Sequence, residues 1–349
     1  MGSCLSLLLS SSREYSASER RVLAGPPELS GPDLRSGEYM AQAERFAMDQ
    51  FPLRDALRGM KTAANLYLFQ KQDDRGLYRM DGHISKMEYP LDQRRLNQNI
   101  DLLRDLYNRN LVGTDSKIYL SLIPDKHYWL GPQGGYPTMD YELLTATVKN
   151  GLPFAEYVDI FGLLTADSYY RTDPHWRQET LLPVAKKLAA SMGASIDAEL
   201  HEASLDTPFY GAYCGQLALP VKPDELRYLT GPELEACTIT CYDGRKTERS
   251  TMFDLKKAEG RDPYEMFLCG SAALVTVENP NGNTGRELLL FRDSFASSLA
   301  PLLAPGYSKI TLIDLRYIRL DQLADFVDFH GQDVLLLYST LMLNQGLGA

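Results

Sequence analysis

The chain has 349 residues, 44% of them hydrophobic and 23% charged, enough for one large α/β domain or two smaller ones with a full core. Its net charge is −10, and no dense Lys/Arg run interrupts that acidity, which argues against nucleic acid or an anionic lipid surface as partner. Of five cysteines, Cys237 and Cys241 stand close together without the second pair that zinc needs. On a strand those two would share a face, as packing or, outside the cytosol, as a disulfide.

In chain order, the first segment is CLSLLLS (residues 4–10). It is far short of the roughly 20 residues of a membrane span. No basic stretch precedes it, so it is not a complete signal peptide, and it reads as the last turns of an anchor that starts upstream. MGSCLS matches a myristoylation pattern at Gly2 and Ser6, a pattern short enough to arise by chance. Residues 11–40, rich in Ser, Arg, Glu, Gly and Pro, read as an extended arm. The organisation expected is therefore an arm over 1–40 and one domain over 41–349. From 38 to about 70 the pattern is helical, with Pro52 in DQFPLRD bending or restarting the helix. Residues 76–88 read as a hairpin with Asp81-Gly82 as its turn.

An alternation follows: a helix at 91–110, a strand at 117–126, a helix at 139–150, a strand at 155–161, and a helix at 178–192. Gly193 stops that last helix, and Pro183 counts against its early turns. Further on come strands at 287–293, 309–315 and 333–339, with helices at 295–303 and 321–330 between them. Short apolar strands alternating with helices imply a mostly parallel sheet covered on both faces. Residues 195–285 break the alternation and read as an insertion or small subdomain. Within it, Gly282 and Gly285 lack the following helix of a phosphate loop and read as a hairpin turn joining 273–277 to 287–291.

Two places carry chemistry. Ser294 in FRDSFASSLAP stands where an apolar strand meets a helix. That junction exposes a side chain at the carboxyl edge of the sheet, where open α/β folds bind ligands. The first-turn N–H groups of the helix can hold a developing oxyanion. The plainer reading is a helix N-cap. The second place is YYRTDPHW, with Asp173, His175 and Trp176 in one short loop. Acyl transfer through a serine needs a base and a carboxylate to orient it, and Asp173-Pro174-His175 supplies both. Trp176 would wall the site; the plainer readings are a cap, a surface histidine and a core tryptophan. Asp-x-His also opens some metal sites, but His201 and His330 stand alone, so neither a metal nor any other cofactor is expected.

These segments, with DQFPLRD, IPDK (residues 123–126), DLRY (314–317) and LLYSTLMLNQ, resemble the bacterial DHHW proteins. Those are similar to the SGNH-like acetyltransferase domains of alginate O-acetylation proteins, and the resemblance covers about 49–345. It implies an SGNH-hydrolase-like three-layer α/β fold, with Ser294 as nucleophile, His175 as base and Asp173 as orienter. It implies acetyl transfer to a surface polysaccharide outside the cytoplasm, with a membrane-bound O-acyltransferase handing over the acyl group. Arg316 and Tyr338, near the ends of the next strands, would help line the acceptor or oxyanion site; an ion pair and core packing are the alternatives. Arg292 departs from the GDSL pattern, which has Gly there to permit close backbone approach. Gly211 in PFYGAY is a candidate for one of the family's other glycine positions; Lys126 reads as a solvated turn residue, with pairing to an anionic ligand as the alternative.

Two functions of different class follow. One is a Ser-His-Asp O-acetyltransferase or acetylesterase acting on an extracytoplasmic polysaccharide. The other is a non-catalytic carbohydrate-binding or assembly component. They differ over whether Ser294 and His175 converge.

Overall fold

A computed structural model describes residues 12–16, 19, 21–282 and 285–347. The apolar 4–10 segment and the Gly2/Ser6 pattern lie outside the described residues. In the arm, β1 (Tyr15–Ser16) pairs with β2 (Arg21–Val22). The arm also holds a helix, Gly31–Ser36, where an extended chain was expected. Ser30 caps it by accepting from the Asp33 N–H, and Gly37 ends it at φ 81°. Helices Glu38–Asp49 and Arg54–Ala63 bracket the expected break at Pro52. β3 (Leu77–Met80) and β4 (His83–Lys86) form the expected hairpin, with Asp81 and Gly82 both at positive φ, the geometry of a tight two-residue turn.

The central sheet has eight strands. Its early members are β5 (Lys117–Ile123) and β6 (Glu156–Tyr157). β7 (His201–Phe209) and β8 (Asp224–Thr230) pair separately as a hairpin. β9 (Thr238–Tyr242), β10 (Thr247–Ser250), β11 (Leu274–Glu278), β12 (Glu287–Arg292), β13 (Lys309–Ile313) and β14 (Asp333–Ser339) complete the sheet. The order is β10-β9-β11-β13-β12-β14-β5-β6. From β13 to β6 every pairing is parallel, and from β13 to β10 every pairing is antiparallel.

The sheet is buried on both faces. Leu288, Leu290, Leu335 and Leu337 pack under helices Leu182–Ser191 and Ala296–Leu303. Leu289, Phe291, Val334, Leu336 and Tyr338 pack under helices Gln93–Leu106, Tyr141–Gly151 and Thr340–Gln345. This two-residue alternation between two apolar layers is why β12 and β14 read as continuous hydrophobic runs. The fold is thus a three-layer α/β sandwich around a mostly parallel sheet.

Several expectations are corrected. β11 and β12 are not a hairpin, because β13 lies between them and pairs with both. β12, apolar on both faces, takes a parallel neighbour on each side. Within 195–285, β9, β10 and β11 extend the central sheet, while β7 and β8 stand apart from it. The helix expected at 321–330 is a 3-10 stretch, Leu320–Asp325. Pro183 does not weaken its helix, since it occupies the first turn, where its missing N–H has no helical partner to lose. Cys241 is disulfide-bonded to Cys269 and not to Cys237. Cys237 keeps a thiol whose pKa burial pushes up to about 11.

Candidate active site

Ser294 follows the end of β12, in the parallel half of the sheet and two residues before helix Ala296–Leu303. Ser294 is not the helix N-cap: Phe295 holds that position, without a side-chain cap bond. Asp293 Oδ1 accepts the Phe295 N–H (3.0 Å), and Asp293 Oδ2 accepts the Ser339 N–H at the end of β14 (2.8 Å). One carboxylate therefore pins the turn to the adjacent strand. The Ala296 and Ser297 N–H groups are taken by the carbonyls of Asp293 and Ser294. The first-turn donors expected for an oxyanion are thus occupied. The Ser294 N–H has no hydrogen-bond partner among the described residues and is the donor left at this turn.

The Ser294 hydroxyl points to the 169–176 loop. An isolated bridge between Tyr169 and Trp176 closes that loop, with the Tyr170 N–H donating to His175 O (3.1 Å). At its tip His175 Nδ1 lies 2.6 Å from Asp173 Oδ1, and His175 Nε2 lies 2.8 Å from Ser294 Oγ. A carboxylate can only accept, so Nδ1 carries the proton and Nε2 is left to accept from Ser294. Asp173 is almost fully buried. Its Oδ1 also accepts the His175 N–H, and its Oδ2 accepts the Ala212 N–H (2.8 Å).

The loop is held from three sides. The Asp224 carboxylate accepts from the Arg171 N–H, the Thr172 N–H and the Thr172 hydroxyl. Gly211 donates its N–H to Thr172 Oγ1 (2.8 Å). A Cβ on Gly211 would come within 2.4 Å of Thr172 backbone atoms and of Asp173 Cβ, so only glycine lets the 211–212 segment approach. Gly211 therefore serves the carboxylate, and not an oxyanion. Lys126, expected in solvent, is 2% exposed, and its ammonium donates to the carbonyls of Tyr170, Arg171 and Asp173.

Aromatic rings fix the imidazole. Tyr264 stacks on His175 with ring centroids 3.9 Å apart and planes 12° from parallel, and Phe295 leans on it at 4.8 Å. The Tyr264 hydroxyl bonds to Ser298 Oγ (2.9 Å), and burial raises its pKa well above the ordinary phenol value.

Of the three residues expected to meet substrate, two are buried in the core and one is engaged in an ion pair. Trp176 is fully buried, and its indole N–H donates to Phe295 O and Ser298 Oγ, which fastens the loop base to the helix after Ser294. Tyr338 is buried in the second core layer. Arg316 forms a two-pronged ion pair with Asp314. Arg292, at the GDSL glycine position, is buried beneath the Ser294 turn. It reaches Ser297 Oγ (3.2 Å) and lies 3.7 Å from Asp314.

Tyr264, Asp224, Ala212 and Lys126 went unidentified in the sequence. Lys126 had one usable signal, its place just past the carboxyl end of β5. Tyr264 and Asp224 lie in no motif.

No protein-family model matches the chain, and no curated protein matches it. Among solved structures it is similar to a DHHW family protein from Eubacterium siraeum, at 20% identity and a TM-score of 0.62, over 79% of this chain and 97% of that one. It is similar to Bacillus cereus PatB1, solved with a sulfonyl adduct, at 17% identity and a TM-score of 0.59, over 76% of this chain and 95% of that one. The O-acetyltransferase domain of Pseudomonas putida AlgJ aligns at 12% identity and a TM-score of 0.49, over 77% of this chain and 92% of that one. The chain has the fold of the DHHW family protein and of PatB1.

Proposed function

We propose that the protein is a serine-dependent O-acetyltransferase or acetylesterase acting on a cell-surface polysaccharide outside the cytoplasm. The observation that carries this reading is the hydrogen-bonded run from Asp173 through His175 to Ser294. In the first half-reaction Ser294 Oγ attacks the carbonyl carbon of an acetyl donor while His175 Nε2 takes its proton. The oxygen formed on that carbon faces the Ser294 N–H. The donor's leaving group departs with the proton from Nε2. A sugar hydroxyl or water then gives its proton to Nε2 and attacks the acetyl carbon, and Ser294 leaves reprotonated. PatB1, on the same fold, was solved with a sulfonyl adduct, and activated hydroxyls capture sulfonyl electrophiles.

Acetyl as the group and polysaccharide as the acceptor rest on the sequence resemblance, as do the membrane-bound O-acyltransferase donor and the location outside the cytoplasm; membrane anchoring rests on the apolar 4–10 segment. The convergence of Ser294 and His175 favours this reading over a non-catalytic assembly component. The test is turnover of a chromogenic acetyl ester by the wild type and by Ser294→Ala. Turnover that vanishes in the variant supports the reading, and added oligosaccharide then separates transfer from hydrolysis. Equal turnover in both rejects it.

A further inference from the structure

Lys126 is a buried cation that the chemistry above does not use. It follows β5 at the start of helix His127–Gly134, and its backbone is held both by the contacts of Asp125 and by the Tyr169 hydroxyl, which donates to Pro124 O. Asp125 beside it accepts from the His127 N–H, the Tyr141 hydroxyl (2.7 Å) and the Thr340 hydroxyl (3.0 Å), and its own N–H donates to Thr340 Oγ1. From that anchored position the ammonium reaches the carbonyls of Tyr170 (2.8 Å), Arg171 (3.2 Å) and Asp173 (3.0 Å). An ammonium has three hydrogens, and each has one of these acceptors.

The far side of the same peptides is held by an opposite charge. The N–H groups of Arg171 and Thr172 donate to the Asp224 carboxylate. The segment is thus clamped between a cation on its carbonyls and an anion on its amides. Three carbonyls converging on one buried point need a donor there. No neutral side chain of this length supplies three hydrogens.

We propose that Lys126 is a positioning residue for the relay: its ammonium, through three backbone carbonyls, sets where Asp173 stands and so fixes the orientation of His175 toward Ser294. It touches none of the reacting atoms, and with its hydrogens committed it does not act as a base. Burial lowers its pKa to about 7, against the pull of Asp173, Asp224 and Asp125, which favour the charged form. The face of the Tyr213 ring, 5.2 Å away, completes its surroundings.

The inference rests on the proposed relay, and its test has one arm that needs no turnover. The proton shared by His175 Nδ1 and Asp173 Oδ1 should give a far-downfield proton resonance in the wild type, assigned by its loss in His175→Ala. Lys126→Gln, which returns two hydrogens, and Lys126→Met, which returns none, are compared with it after their fold is checked by circular dichroism. The expected result is a folded Lys126→Gln with the resonance broadened or moved and ester turnover down about a hundredfold, the scale of a misplacement near 1 Å. Lys126→Met should lose the resonance. Wild-type resonance and turnover in both folded variants overturn the inference. So does failure of both to fold, because Lys126 would then support the whole fold and not the relay in particular. A wild type with the resonance but no turnover sinks the enzymatic reading and leaves the positioning role to be decided by the resonance alone.

Discussion

His175 Nε2 stands 2.8 Å from Ser294 Oγ, although 119 residues of chain separate them. Neither residue is brought there by its own segment. Ser294 is fixed by Asp293 bridging to β14, and His175 is fixed by a loop whose supports come from residues near 126, 211, 224 and 264.

Asp173→Asn should keep the fold and lose turnover by about 10³ to 10⁴, the scale for such a swap in a Ser–His–Asp relay. The asparagine amide donates to Nδ1, which forces the hydrogen onto Nε2 and removes the acceptor for Ser294. Steady-state kinetics on the acetyl ester check this. A loss under tenfold would remove Asp173 from the relay.

Gly211→Ala should both destabilise the protein and impair turnover. Its φ of −70° suits alanine, so the effect comes from space alone. The new methyl meets Thr172 backbone atoms and Asp173 Cβ at 2.4 Å. Overpacking of this kind costs about 1–3 kcal/mol. Urea unfolding should show the drop, and turnover should fall because the atoms that give way carry Asp173.

Tyr264→Phe and Tyr264→Leu should differ. Phe keeps the flat ring against His175 and loses the hydroxyl's bond to Ser298, worth roughly 0.5–1.5 kcal/mol, together with its longer contacts to the Ser294 and Phe295 carbonyls, so turnover falls by less than in the Leu variant. Leu removes the stacked face, so the imidazole is no longer confined to one plane and turnover should drop about tenfold or more. Equal turnover in the two variants would deny the ring any part in orienting His175.

Asp49 carries a pH prediction. Its hydrogen bond and ion pair with Arg21, aided by the Ala24 N–H, lower its pKa from 3.8 to about 2. A carboxyl with a lowered folded pKa adds stability above its unfolded value, and that stability is lost as pH falls through the folded value. Wild type should therefore exceed Asp49→Asn in stability at pH 6 by its full margin. The margin should shrink between about pH 4 and about pH 2. Urea unfolding at a series of pH values checks this, and a margin that grows on acidification would contradict it.

Much of this was legible in the sequence. Four of the five parallel strands were readable because each is apolar on both faces, and the two-residue period survives in β12 and β14; the strand expected at 155–161 shrinks to Glu156–Tyr157, with Glu156 exposed. Ser294 was readable from the strand–helix junction, and Asp173 with His175 from their closeness in one loop. The position of β13 between β11 and β12 was not readable, since local turn residues favour a hairpin whether or not a later strand inserts itself. Lys126 was misplaced for a related reason. A lysine after a Pro-Asp turn is exposed unless something covers it, and the cover comes from residues 170–173, far along the chain. Trp176 shows the reverse error. A tryptophan beside a catalytic pair suggests a wall, yet its side chain turns under the loop to bind Phe295 and Ser298.

The central claim is that Ser294 becomes acylated with His175 as its base. Mass spectrometry of the protein, acid-quenched during turnover of an acetyl ester and digested, tests it most directly. The account predicts one acetyl group on the peptide that carries Ser294 in the wild type, and none there in Ser294→Ala or His175→Ala. Acetyl found only on other residues, or turnover that continues in Ser294→Ala, would contradict it.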